Sequence, residues 1–209
     1  DYDGRDPLQP QPSIVFIPAQ GASGPRSTII VAHGGGFESR TGCEGMHVAD
    51  FFARAGFNAA ILTYRLKPYS RRDAMHDMQR AIRLLRARRD ELGITDKIAV
   101  MGFSAGGMLS GNCATHYDAG DAAASDPVER FSCRPDAAVL GYGHLRRWLS
   151  PPASLQTPLK TTTVQKNFIL RRKKISPVTL RPSSSGRPTA MIPETLSYWR
   201  CTDRSRRSV

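Results

Sequence analysis

Long apolar runs are missing from this chain of 209 residues. None approaches the roughly 18–20 residues that a helix needs to cross a bilayer, so no membrane span is expected. Cysteine is scarce. Cys43, Cys113, Cys133 and Cys201 form no C-x-x-C pair and no Cys/His spacing suited to zinc. One disulfide is compatible with four cysteines, and free buried thiols are the simpler expectation; no metal and no cofactor are expected. A leading methionine is also absent, since the chain begins at Asp1. Removal of a leader and a secreted or periplasmic location fit that beginning, and a cytoplasmic one fits it too.

Acidic residues are short in one place only. From Asp1 to Gly143 there are 16 Lys and Arg against 16 Asp and Glu, whereas from His144 onward 14 basic residues face only Glu194 and Asp203. The whole net charge of +12 therefore belongs to the last third. A uniformly basic protein would suggest a nucleic-acid partner, but here the first two thirds are neutral. The tail lacks the interleaved aromatics of a single-strand binder: Trp148, Phe168, Tyr198 and Trp199 are scattered, and Arg171–Lys174 is one short basic cluster. No specific nucleic-acid module is recognisable. Two regions follow: a core over residues 1–143, and a basic Ser/Pro/Arg-rich tail over 144–209, expected to be disordered or foreign to the fold. A shifted reading frame entering between about 143 and 176 would account for the abrupt change of composition; so would a natural basic extension.

What is present up to residue 143 alternates regularly. Ser13–Pro18 and the uncharged, β-branched run Ser27–Ala32 read as strands. Gly45 to Gly56 reads as a helix with Val48, Phe51, Phe52 and Ala55 at helical spacing, and Phe57–Tyr64 as a buried strand. Asp73 is placed to cap a helix whose inner face carries Met78, Ile82 and Leu85, and Gly93 to end it. The arginines at 80, 83, 86, 88 and 89 are expected on its solvated face. Lys97–Gly102 is a strand, Ser104 to about Tyr117 a helix, and Asp136–Tyr142 a further strand. Strands alternating with helices predict an α/β fold: a mostly parallel sheet, covered by helices on both faces, with right-handed crossovers. Beyond Gly143 the alternation stops, so the C-terminal strands of such a sheet are expected to be missing.

Two glycine-rich loops fall at the ends of buried strands, where open α/β sheets place their chemistry. Gly102-Phe103-Ser104-Ala105-Gly106 is a G-x-S-x-G turn between a strand and a helix. Such a turn holds the serine in a strained conformation, exposes its hydroxyl, and needs residues without bulk two places to either side. The helix N-terminus beneath it favours developing negative charge. Earlier in the chain, His33-Gly34-Gly35-Gly36-Phe37 follows Ala32 directly. Attack of a serine on an ester builds negative charge on the carbonyl oxygen, and glycines let backbone N–H groups turn toward it.

With these residues in order, the chain resembles the α/β-hydrolase fold, and more narrowly the bacterial esterases related to acetyl xylan esterases. The resemblance is carried by HGGGF (33–37), EGMHVADFFARAGFNAAILTYRL (44–66), DMQRAIRLLRARRDELGI (77–94), MGFSAGG (101–107) and SCRPDAAVLGY (132–142), and spans about residues 13 to 142. It implies Ser104 as the nucleophile of a serine carboxylesterase or acetyl esterase acting on a small-molecule or carbohydrate ester. It further implies oxyanion donors from Gly35, Gly36 and the Ala105 N–H, with His33 and Gly34 shaping the loop and Gly102 and Gly106 the turn. The family's acid and base follow the serine, in the order Ser, Asp/Glu, His. Here they are unassigned: His116 and His144 are the only histidines after Ser104, Asp203 is the only aspartate of the tail, and neither histidine matches the base position. Impaired activity is the consequence, because a serine without a base is a poor nucleophile. The alternative from another class is a non-catalytic hydrolase-fold protein whose basic tail binds an anionic partner. Oligomeric state is left open.

Overall fold

The computed structural model describes residues 11–143, 169–172, 181–182 and 188–189. The expectation for the basic tail falls, apart from those short pieces, outside the described residues. Six strands make one sheet: β1 (Ser13–Ile17), β2 (Arg26–Ala32), β3 (Asn58–Thr63), β4 (Ile94–Phe103), β5 (Ala137–Gly141) and β6 (Ile169–Arg172), in the order β5-β4-β2-β3-β1-β6. β2 is parallel to both β3 and β4, and β4 is parallel to β5, while β1 runs antiparallel to β3. Four helices connect them: α1 (Met46–Arg54), α2 (Arg71–Ala87), the short α3 (Arg89–Leu92) and α4 (Ala105–Thr115).

The covering of the sheet explains where a site can form. Met46, Ala49 and Ala53 of α1 pack with Ile17, Ile29 and Ala59 on one face. Met78, Ile82 and Leu85 of α2 and Leu109 of α4 pack with Ile14, Ile30, Leu62 and Val100 on the other. Strands β2 and β4 are neighbours, yet the helix after β2 lies on one face and the helix after β4 on the other. The two loops leaving these strands therefore diverge, opening a crevice at the carboxyl ends of the strands. His33–Gly36 and Ser104 stand there together.

Several local expectations are corrected. α2 is capped by Ser70, three residues before Asp73. Ser70 Oγ accepts the Asp73 N–H at 3.2 Å and Asp73 Oδ2 accepts the Ser70 N–H at 2.9 Å, a reciprocal capping box. α2 itself closes at Ala87, and Gly93 ends α3 in the left-handed region at φ +64°. In α1 the buried stripe is Met46–Ala49–Ala53, and Phe51 is 66% exposed; the two alanines let the helix lie close to the sheet, which turns Phe51 outward.

The arginines of α2 do not form a solvated face. Arg80 and Arg83 are buried. Arg80 pairs with Asp126 at 2.8 Å and with Glu129. Arg83 pairs with Asp118 and donates from Nε to the Phe131 carbonyl at 2.9 Å. Arg86 donates to the carbonyls of Ser132 and Arg134. The polar stretch between α4 and β5 is thus folded back onto α2 by guanidinium groups. Of the arginines at 80, 83, 86, 88 and 89, Arg88 and Arg89, which lie beyond the end of α2, have about half of their side-chain surface in solvent.

At the tail, β6 pairs parallel with β1, Ser13 opposite Ile169, and Leu170 packs against the core. One tail segment, residues 169–172, therefore joins the sheet. At the opposite edge, β5 pairs only with β4 among the described residues, leaving Val139 at 45% and Leu140 at 39% exposure.

Candidate active site

Ser104 stands at the end of β4 with φ +48° and ψ −113°, outside the conformations an L-residue ordinarily adopts. The glycines around it are required by contact. A methyl group on Gly102 would stand 2.2 Å from the carbonyl oxygen of Gly106, and one on Gly106 would stand 2.2 Å from the Ala32 carbonyl oxygen. The turn is pinned from both sides: the Ser104 N–H donates to Gly141 O at 2.8 Å, and Ser104 O accepts the Met108 N–H at 2.9 Å. Ala105 begins α4, so its N–H belongs to the first turn, where no helical carbonyl can receive it.

The facing loop is equally constrained. Gly35 has φ +114°, and a methyl group there would stand 2.2 Å from Ser39 O. Its own carbonyl accepts the N–H groups of Glu38 and Ser39, both at 3.0 Å. Gly36 has φ +65° with open space around it, so there glycine answers to the backbone angle alone. Among the described residues, the N–H groups of Gly35, Gly36 and Ala105 meet no hydrogen-bond acceptor.

His33 is buried under the loop, its ring stacked on Tyr64 at 4.4 Å. Its Nε2 lies 2.9 Å from Arg40 Nη1 and its Nδ1 lies 2.6 Å from Gly34 O. A guanidinium can only donate, so Nε2 accepts and the proton sits on Nδ1, donating to the Gly34 carbonyl. That bond fixes the peptide between Gly34 and Gly35. In a trans peptide the Gly35 N–H points opposite to that carbonyl, away from the buried histidine. Tyr64 adds a bond from its hydroxyl to His33 O at 2.8 Å.

Glu44, Thr41 and Tyr142 belong to this site and were not singled out from the sequence. Glu44 accepts the Gly34 N–H at 2.6 Å and the hydroxyls of Thr41 and Tyr142. Burial opposes ionisation of Glu44, but the hydrogen bonds from Thr41, Tyr142 and Gly34 prevail and hold its carboxyl below the ordinary 4.5. The same bond pushes the Tyr142 phenol up to about 12. Tyr142 itself has φ +40°.

No histidine among the described residues is hydrogen-bonded to Ser104. His116 caps the far end of α4, its Nδ1 beside Thr115 Oγ1 at 2.9 Å and Asn112 O at 3.2 Å. Eleven helical residues separate it from the serine, a distance of about 18 Å along the axis at 1.5 Å per residue step. His33 is committed at both ring nitrogens. His144, Asp203 and Cys201 lie outside the described residues. Among the described residues no group of three His, Cys, Asp or Glu side chains could hold a metal ion. A cavity of about 160 Å³, lined by Ile29, Phe52, Phe57 and Ala99, opens nearer the starts of the strands, away from Ser104.

The BD-FAE family model matches residues 15–136. The chain is 32% identical over 123 residues to the endo-1,4-beta-xylanase B of Butyrivibrio fibrisolvens, covering 56% of this chain and 19% of that protein. Its fold is similar to the acetyl ester-xyloside bifunctional hydrolase of Caldicellulosiruptor lactoaceticus, with TM-score 0.62 and 41% identity over 68% of this chain and 53% of that one. It is also similar to the propionate-bound esterase Est2 of the planctomycete Thermogutta terrifontis, with TM-score 0.53 and 26% identity over 62% of this chain and 49% of that one. The chain spans about half the length of these solved hydrolases and about a fifth of the xylanase.

Proposed function

Because the chain belongs to the BD-FAE family, within the α/β-hydrolase esterases, we propose that residues 13–142 carry the nucleophile and oxyanion half of a serine carboxylesterase site. Ser104 is the nucleophile. The N–H groups of Ala105, Gly35 and Gly36 receive the negative charge that develops on the ester carbonyl, each such donor lowering the barrier by about 3 kcal/mol. Acetyl esters are the substrate class, following the acetyl ester-xyloside hydrolase to which this chain is similar; a sugar-borne acetyl group fits that relative and the xylanase alike.

The observation that carries this reading is the strained backbone of Ser104 facing a glycine loop in which the Gly35 and Gly36 N–H groups meet no acceptor among the described residues. Ester attack requires the Ser104 proton to leave as the C–O bond forms, and no described side chain takes it. Turnover is accordingly impaired relative to a complete triad. Labelling with a fluorophosphonate, followed by peptide mass spectrometry, tests the assignment. The adduct is expected on Ser104 and to be lost in Ser104→Ala. A label distributed over surface serines, together with salt-sensitive retention of the chain on DNA, would favour the binding alternative.

A further inference from the structure

The oxyanion loop and the serine turn come from different strands, so something must hold them in register. The Gly34 peptide units are gripped on both sides. His33 Nδ1–H holds its carbonyl, and Glu44 Oε2 holds its N–H at 2.6 Å. With both neighbouring peptide planes fixed, the direction of the Gly35 N–H is fixed as well. Glu44 reaches the other half of the site through its second oxygen, which accepts the Tyr142 hydroxyl. Tyr142 directly follows Gly141, whose carbonyl receives the Ser104 N–H at 2.8 Å. A methyl group placed on Gly34 would stand 2.7 Å from Glu44 Oε2 and 3.3 Å from Ser104 Cβ, so carboxylate and serine meet across one glycine. We propose that Glu44 is a positioning residue for ester cleavage: one carboxylate, bonded to Gly34 and to Tyr142, sets the oxyanion loop against the nucleophile turn. This rests on the esterase assignment of Ser104.

A carboxylate suits the role because it accepts several bonds at once and strengthens each. The cost of misplacement is large, since a shift of about 1 Å in a reacting arrangement can lower a rate about 100-fold. The carbonyl of a glutamine can still accept the Gly34 N–H, whereas alanine accepts nothing.

The test uses the full chain, its Ser104→Ala form, and Glu44→Gln, Glu44→Ala and Tyr142→Phe. It reads p-nitrophenyl acetate kinetics and amide hydrogen exchange of peptides covering residues 33–45. Glu44→Ala is expected to lower kcat about tenfold or more with KM within about twofold, and to speed exchange of the Gly34 amide, which Glu44 accepts, about tenfold while β3 and α2 stay protected. Glu44→Gln is expected to recover most of both, and Tyr142→Phe to fall between. Unchanged exchange and kcat in Glu44→Ala would overturn the proposal. So would a loss that follows the melting temperature and that Glu44→Gln does not rescue. Parental and Ser104→Ala rates equal to buffer would overturn the esterase assignment instead, and exchange of the Gly34 amide would then decide by itself whether Glu44 holds the loop.

Discussion

Gly106 lies against the end of β2 so closely that a methyl group on it would stand 2.2 Å from the carbonyl oxygen of Ala32. That contact joins the helix behind the nucleophile to the strand that launches the oxyanion loop. Gly106→Ala must push the two apart, and Gly102→Ala meets Gly106 at the same distance. Each substitution is expected to destabilise the fold by about 3 kcal/mol or more, above the ordinary cost of overpacking, because backbone has to move. Denaturant melts measure it. A loss below about 1 kcal/mol would mean that the turn has more room than the structure gives it.

The arginines of α2 and α3 predict a sharp contrast. Arg80→Ala leaves Asp126 and Glu129 without the buried guanidinium that pairs both, and is expected to cost about 3 kcal/mol. Arg89→Ala removes a half-exposed side chain and is expected to stay within about 0.5 kcal/mol. Limited proteolysis adds a local readout, with cleavage between residues 118 and 136 appearing in Arg80→Ala first. Equal effects of the two substitutions would contradict the anchoring role.

Acid should release the same segment. Burial opposes ionisation of Asp118, but the Arg83 and Gly120 bonds prevail and hold its carboxyl below the ordinary 3.8. A carboxyl lowered in the folded state binds fewer protons there than in the unfolded chain. Its contribution is therefore complete above the unfolded value and lost as pH falls through the lower, folded one. The gap in melting temperature between the parent and Asp118→Asn is expected to be widest above about pH 5 and to close below pH 3.8. A gap that widens with acid would reverse the sign of the argument.

The edge of the sheet is a further liability. Among the described residues β5 is paired on one side only, with its Val139 and Leu140 exposed, and such edges recruit other chains. Val139→Lys is expected to raise the soluble fraction on expression and to reduce sedimenting aggregate. An unchanged soluble fraction would show that the edge is covered in solution.

How much of this was legible follows from range. G-x-S-x-G and the triple glycine could be interpreted because their requirement is local: glycines at 102 and 106 are needed within five residues of Ser104. Burial of Met78, Ile82 and Leu85 followed from helical spacing for the same reason. The arginines at 80 and 83 were misjudged because their partners lie 35 to 49 positions away in a stretch without periodicity. Glu44 and Tyr142, 98 positions apart, carry no pattern linking them; Glu44 opens the segment EGMHVADFFARAGFNAAILTYRL, and nothing in that segment marks it as a hydrogen-bond acceptor for the glycine loop. The Ser70 cap was displaced by Asp73 because both residue types cap, and only the reciprocal bond shows which is which.

Hydrolysis of p-nitrophenyl acetate by the intact chain, set beside Ser104→Ala at equal concentration, tests the central claim most directly. The account predicts a slow rate above buffer for the parent and a return to the buffer rate in Ser104→Ala, with the melting temperature unchanged. Equal rates for the two proteins would contradict Ser104 as the nucleophile.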